Sequence, residues 1–138
     1  MDRKTENEKK KEYLRGYNDH VRRIRRIETE LAELRTMRIS GSGNMDGMPH
    51  GSSQSDLSDY AADLDALERK LMQERYERVQ AYKEIVRKIK DLESENEKDV
   101  LFYRYIAGND WWEIAQKLRY SERQIHRFHG KGLEHFKL

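Results

Sequence analysis

Trp111-Trp112-Glu113-Ile114-Ala115-Gln116-Lys117-Leu118, Arg119-Tyr120-Ser121 and Glu122-Arg123-Gln124-Ile125-His126-Arg127-Phe128-His129 follow one another without interruption. Ile114, Leu118, Ile125 and Phe128 recur at helical spacing and give two short helices one inward face each. Ala115 is small where the two helices would cross closely. With a tight turn between them, residues Trp111 to Phe136 read as a helix-turn-helix. Ser121 and Gln124 have the spacing of a capping box. The Ser121 hydroxyl would accept from the Gln124 N–H, and the Gln124 side chain would reach back to the Ser121 N–H. Such a cap is worth about 1 kcal/mol. It also fixes which side chains project from the first turns of the second helix.

Those side chains are cationic or amide-bearing: Arg123, Gln124, His126, Arg127 and Lys131. Such groups reach phosphates and base edges in a major groove. Arg123 and Arg127 are expected to contact phosphate or guanine, and Gln124 to read a base edge. Residues 119–138 hold 5 Lys/Arg against 2 Asp/Glu, so positive charge gathers on this segment. A packing-only helical pair would explain the apolar spacing. The cap, the small crossing residue and the basic outer face together favour double-stranded DNA as the partner. The turn position that commonly holds a left-handed glycine is taken by Arg119, at a cost of roughly 1 kcal/mol.

The rest of the 138-residue chain is helical in pattern. Hydrophobic content is 36% and charged content 39%, too polar for one large globular core. A single proline and many strong helix formers point to an all-α protein. A first helix is expected from about Glu6 to Arg38. Its stripe is Leu14, Tyr17, Val21, Ile24, Ile27, Leu31 and Leu34, which shifts between Ile24 and Ile27. Ser40 to Ser53 holds four of the eight glycines and Pro49, and reads as a connecting loop within about 40–55. A second helix is expected from about Asp56, capped by Ser55 or Asp56, to about Glu95. Its stripe runs Leu57, Tyr60, Ala61, Leu64, Leu67 and Leu71. It then steps through Met72 and Tyr76, as in a stutter, to Val79, Tyr82, Val86 and Ile89, with Ile85 and Leu92 flanking.

The expected architecture is therefore a long antiparallel, coiled-coil-like helical hairpin over 1–95, followed by a helix-turn-helix domain over 96–138. A short helix through Val100 to Ile106 should open the second domain, with Gly108 as its C-cap and Asp110 as the N-cap of the next helix. One of Trp111 and Trp112 should pack in the small core. A two-helix seam buries little apolar area for its length, so a homo-oligomer, with a dimer favoured, is expected. Pairing could lie within or between chains.

Chemistry other than binding has little support. There is no cysteine, hence no disulfide or thiolate site. His126 and His129 have a permitted metal spacing but no completing ligands; with His20, His50 and His135 they read as surface or phosphate-contacting groups. The Gly41–Gly51 loop follows no strand and is no phosphate cradle. No enzyme activity, cofactor or metal is expected. Met1-Asp2-Arg3-Lys4-Thr5-Glu6 lacks an apolar signal core, and no run is long enough to span a membrane. A cytoplasmic protein of a bacterial host, with no membrane partner, is the expectation.

Asp99-Val100-Leu101-Phe102-Tyr103-Arg104-Tyr105, Trp112-Glu113-Ile114-Ala115-Gln116-Lys117-Leu118, Ser121-Glu122-Arg123-Gln124-Ile125 and Lys131-Gly132-Leu133 resemble region 4 of sigma-70-type factors. The resemblance covers about 40 residues. It implies recognition of a −35 promoter element by the second motif helix, and contact with bacterial RNA polymerase. Its DNA-binding positions map onto Ser121, Glu122, Arg123, Gln124, His126, Arg127 and Lys131. Gly47-Met48-Pro49-His50-Gly51 and Ser55-Asp56-Leu57-Ser58-Asp59-Tyr60-Ala61 are similar to a family of small phage and prophage proteins of Gram-positive bacteria. That second resemblance implies a phage transcriptional regulator akin to the ArpU and RinA late-gene regulators. Nothing in 1–95 resembles the promoter-opening region 2, so a self-sufficient sigma factor is not expected. A small-terminase-like packaging component, or a polymerase-binding adaptor that leaves DNA alone, would use the same parts.

Overall fold

The computed structural model describes residues 2–43 and 53–138. All regular structure among them is helical: α1 (Arg3–Gly43), α2 (Ser53–Lys90), α3 (Glu95–Tyr105), α4 (Trp111–Leu118) and α5 (Glu122–His135). The chain is all-α, as its composition requires. Both long helices extend further into the glycine-rich stretch than their apolar stripes do. Ser40 to Gly43 are helical, and Ser55 and Asp56 lie inside the first turn of α2 instead of capping it. An isolated glycine costs a helix only about 1 kcal/mol. The rest of the expected loop, 44–52, lies outside the described residues.

The described chain forms two compact units, residues 21–77 and residues 1–20 with 78–138. In the first, Ile24, Ile27 and Leu31 of α1 are buried with Leu71 of α2, and Leu64 and Leu67 pack at the margin. Ion pairs flank this core: Arg35–Glu68 at 3.1 Å, Glu28–Arg75 at 3.8 Å and Arg23–Glu74 at 3.1 Å. Solvated pairs of this kind add specificity more than stability. The shift of the α1 stripe at Ile24–Ile27 is present, since both are buried three residues apart.

The expected stutter in α2 is absent. The less exposed positions of α2 are 60, 64, 67, 71, 74, 77, 78, 81, 85, 86, 88 and 89. They hold an unbroken ladder of three- and four-residue steps from 60 through 71, 74, 78, 81 and 85 that takes in the expected Val86 and Ile89. Met72, Tyr76, Val79 and Tyr82 are instead exposed, at 69%, 61%, 47% and 41%. The reason is chemical. Glu74 and Arg78 occupy inward positions and are satisfied there, Glu74 by Arg23 and Arg78 by donating to the Tyr17 hydroxyl at 3.1 Å. A reading that follows only apolar residues steps around them.

In the second unit, α2 stops at Lys90 and not near Glu95. Ser94 caps α3 by accepting from the Glu97 N–H, and Glu95 and Glu97 suit the positive end of the new helix. Val100, Ile114, Ala115 and Ile125 form the shared core of α3, α4 and α5, with Tyr103, Trp111, Leu118 and Phe128 around it. α3 and α5 approach closely at Gly132, where an added Cβ would lie 3.3 Å from Leu101 Cγ. The first turns of α1 pack here too. The Lys10 ammonium donates to Leu133 O at 2.7 Å and Glu134 O at 3.3 Å, both at the C-terminal end of α5. The ammonium thereby satisfies carbonyls that the helix itself leaves open.

Candidate nucleic-acid interface

The surface of interest is the outer side of α5, and the residues just before it fix its placement. Asp110 caps α4 reciprocally: Glu113 N–H donates to Asp110 Oδ1 at 2.9 Å, and Asp110 N–H donates to Glu113 Oε1 at 3.2 Å. α4 ends at Arg119, which adopts φ 60° and ψ 43°. This left-handed residue is where the sequence pattern calls for glycine, and Arg119 bears the cost. Ser121 then caps α5 by accepting from the Gln124 N–H at 3.2 Å. The return bond expected from the Gln124 side chain is not formed, which corrects the capping-box reading. Gln124, being partly exposed, keeps its amide available.

Ser121, Glu122, Arg123, His126, Arg127 and Lys131 are all exposed. Arg123, Arg127 and Lys131 recur every fourth residue and share one face. Among the described residues, Arg123 and Arg127 make no hydrogen bond or ion pair. Lys131 approaches Glu134 at 4.0 Å, with its side chain 58% exposed. Inward, Ile114 and Ile125 are fully buried, and Leu118 and Phe128 are partly so.

His129 departs from its reading as a surface or phosphate-contacting residue. It is buried, its Nε2 lies 2.7 Å from the Tyr105 hydroxyl, and its ring stacks at 5.7 Å on that tyrosine. Burial, with Lys11, Arg104, His126 and Arg15 adding repulsion, pushes its pKa down to about 4. Burial likewise pushes the Tyr105 hydroxyl up. A neutral imidazole can accept from that hydroxyl, so the pair is satisfied without charge. The signal was present in the sequence: His129 lies four residues after Ile125 and four before Leu133.

Trp111 sits at the junction of three helices. Its ring is 4.3 Å from His126 and 4.7 Å from His129, and the Arg104 guanidinium lies 4.3 Å over it. Trp112, 61% exposed, is the outward member of the pair. Arg104 and the α1 residues near His129 escaped the sequence reading, because nothing in local spacing brings α1 to α5.

Comparison with known proteins adds one finding. No curated protein and no solved structure matches the chain. The model of one family, described as a protein of unknown function (DUF722), matches residues 25–134. That span takes in most of both compact units and nearly all of α5, and the chain therefore belongs to the DUF722 family.

Proposed function

We propose that this protein is a phage transcriptional regulator that binds duplex DNA sequence-specifically. In this reading α4 and α5 are the two helices of a helix-turn-helix like that of sigma-70 region 4, and α5 lies in the major groove. One observation carries it: Arg123 and Arg127 stand exposed and unpaired among the described residues, on one face of a capped helix. Two unpaired guanidinium groups four residues apart suit a surface of regularly spaced phosphates and base edges. Ser121 and Glu122 open that helix, Gln124 reads a base, and His126 and Lys131 add contacts on either side.

The long helices serve as an antiparallel hairpin that spaces or pairs these modules. α2 exposes Met72, Tyr76 and Val79 at helical spacing, which fits association of two copies. Two linked reading helices gain effective concentration on DNA. RNA polymerase is the second partner that the sigma-like segment suggests.

The direct test is fluorescence anisotropy of the protein with labelled duplex at stepped salt. Affinity should fall linearly in log–log form as salt rises, with a slope set by the number of phosphates neutralised. Sedimentation of the same sample reads the expected dimer. An adaptor that only contacts polymerase would show no salt-dependent duplex binding, and that result would remove the DNA reading.

A further inference from the structure

Lys11, Arg15 and Asn18 fall at i, i+4 and i+7 on α1 and so share one face. Asn18 fixes where that face points. Its Nδ2 donates to Tyr105 O at 2.9 Å, at the end of α3. Its Oδ1 lies 3.8 Å from where a Cβ on Gly108 would stand. Lys10 fastens the same stretch of α1 to the end of α5. Arg15, one turn before Asn18, is exposed and makes no hydrogen bond or ion pair among the described residues. Lys11 pairs with the exposed Glu8 at 3.1 Å.

Asn18, one turn beyond Arg15, binds the carbonyl of Tyr105, the neighbour of Arg104 in sequence, so this face of α1 lies beside the end of α3. Lys11, Arg15, Arg104 and His126 are all near enough to His129 to disfavour its protonation. Arg104 and His126 each lie 4.3 Å from the Trp111 ring. The half-buried Arg104 also donates to Asn109 O at 3.2 Å, which holds its guanidinium in place and leaves its other N–H groups to meet a phosphate. His126 is next to Arg127 in sequence and one turn beyond Arg123. Cations from α1, α3 and α5 therefore gather around His129, with Glu8 pairing with Lys11 among them.

We propose that Lys11, Arg15 and Arg104 form a phosphate-contacting shelf that holds the backbone of the same duplex whose groove α5 enters. The proposal rests on the DNA reading above and extends it to the first helix of the chain. Duplex DNA carries about one charge per 1.7 Å of axis. A backbone leaving the groove beside α5 would next meet this shelf. An acidic protein segment would be drawn by the same charges. Continuity with Arg123 and Arg127 favours the one polyanion that can span both surfaces.

The test is the Lys11→Ala/Arg15→Ala variant, titrated against a phage-promoter duplex and a scrambled duplex at stepped salt. Both duplexes should weaken by the same factor, and the salt slope should become shallower by about two. Lys11→Ala/Arg15→Lys in the same assay should recover most of one unit relative to the double alanine variant. Thermal melts show whether the double variant stays folded; if it does not, the exposed single change Arg15→Ala is read alone, with a loss of about one unit. If wild type binds with salt dependence and the variants keep its slope, the shelf is wrong and the α5 reading stands; an acidic protein partner would give this result. If wild type shows no salt-dependent binding, both readings fall together.

Discussion

Replacing Arg123 and Arg127 together by alanine is expected to weaken promoter binding by at least about 30-fold. Each bidentate contact to a base is worth about 1–3 kcal/mol, and every 1.4 kcal/mol is tenfold in affinity. Both side chains are exposed and make no hydrogen bond or ion pair among the described residues, so their removal should leave the fold intact. Surface changes of this kind usually stay within about 0.5 kcal/mol of wild-type stability. The titration also separates two roles. Loss of a base contact relaxes preference at one position. Loss of a phosphate contact weakens all duplexes alike and lowers the salt slope by about one. Equal affinity of the double variant and wild type would reject the assignment of these arginines.

Acid should loosen the same helix from within. The His129 ring is held neutral in the fold, its pKa pushed down from 6.5 to about 4, chiefly by burial. The unfolded chain protonates it more readily, so its contribution is complete above pH 6.5. The contribution is lost as pH falls from 6.5 toward 4. The shift corresponds to roughly 3 kcal/mol in all, of which about 2 should be gone by pH 5. Denaturant midpoints of wild type and His129→Gln, followed from pH 7.5 to 5, measure this. The wild-type curve should drop more steeply, because carboxylates titrate in both proteins and the histidine in only one. Parallel curves would show that His129 is not held neutral against Tyr105.

What the sequence disclosed follows from the range of the forces involved. Ile114, Ala115 and Ile125 were legible as inward residues because helical periodicity is local, and all three are buried. Asp110 and Ser121 were legible as caps because a short oxygen-bearing side chain before an apolar run has few other uses. Gly108, expected as the C-cap of α3, lies instead two residues beyond the cap, Ile106, and takes φ 74° in the turn before α4.

Other features depend on partners far away in sequence. Glu74 and Arg78 line the inner side of α2 because Arg23 and Tyr17 satisfy them. An apolar pattern cannot show that. The contact of Lys10 with Leu133 O joins residues 123 positions apart. No periodicity within either helix encodes it. His129 lies between these cases: its spacing from Ile125 marked it as inward, but its polarity suggested the surface. Only the Tyr105 hydroxyl, brought up by α3, resolves the conflict.

In the proposed reading, the outer face of α5 meets double-stranded DNA. Isotope-labelled protein titrated with an unlabelled phage-promoter duplex, with backbone and arginine side-chain NMR signals followed, tests it most directly. Perturbations should concentrate at Ser121 to Lys131, be largest at Arg123, Gln124 and Arg127, and reverse on adding salt. Signals that stay unmoved there, while other parts of the chain respond or nothing responds at all, would contradict it.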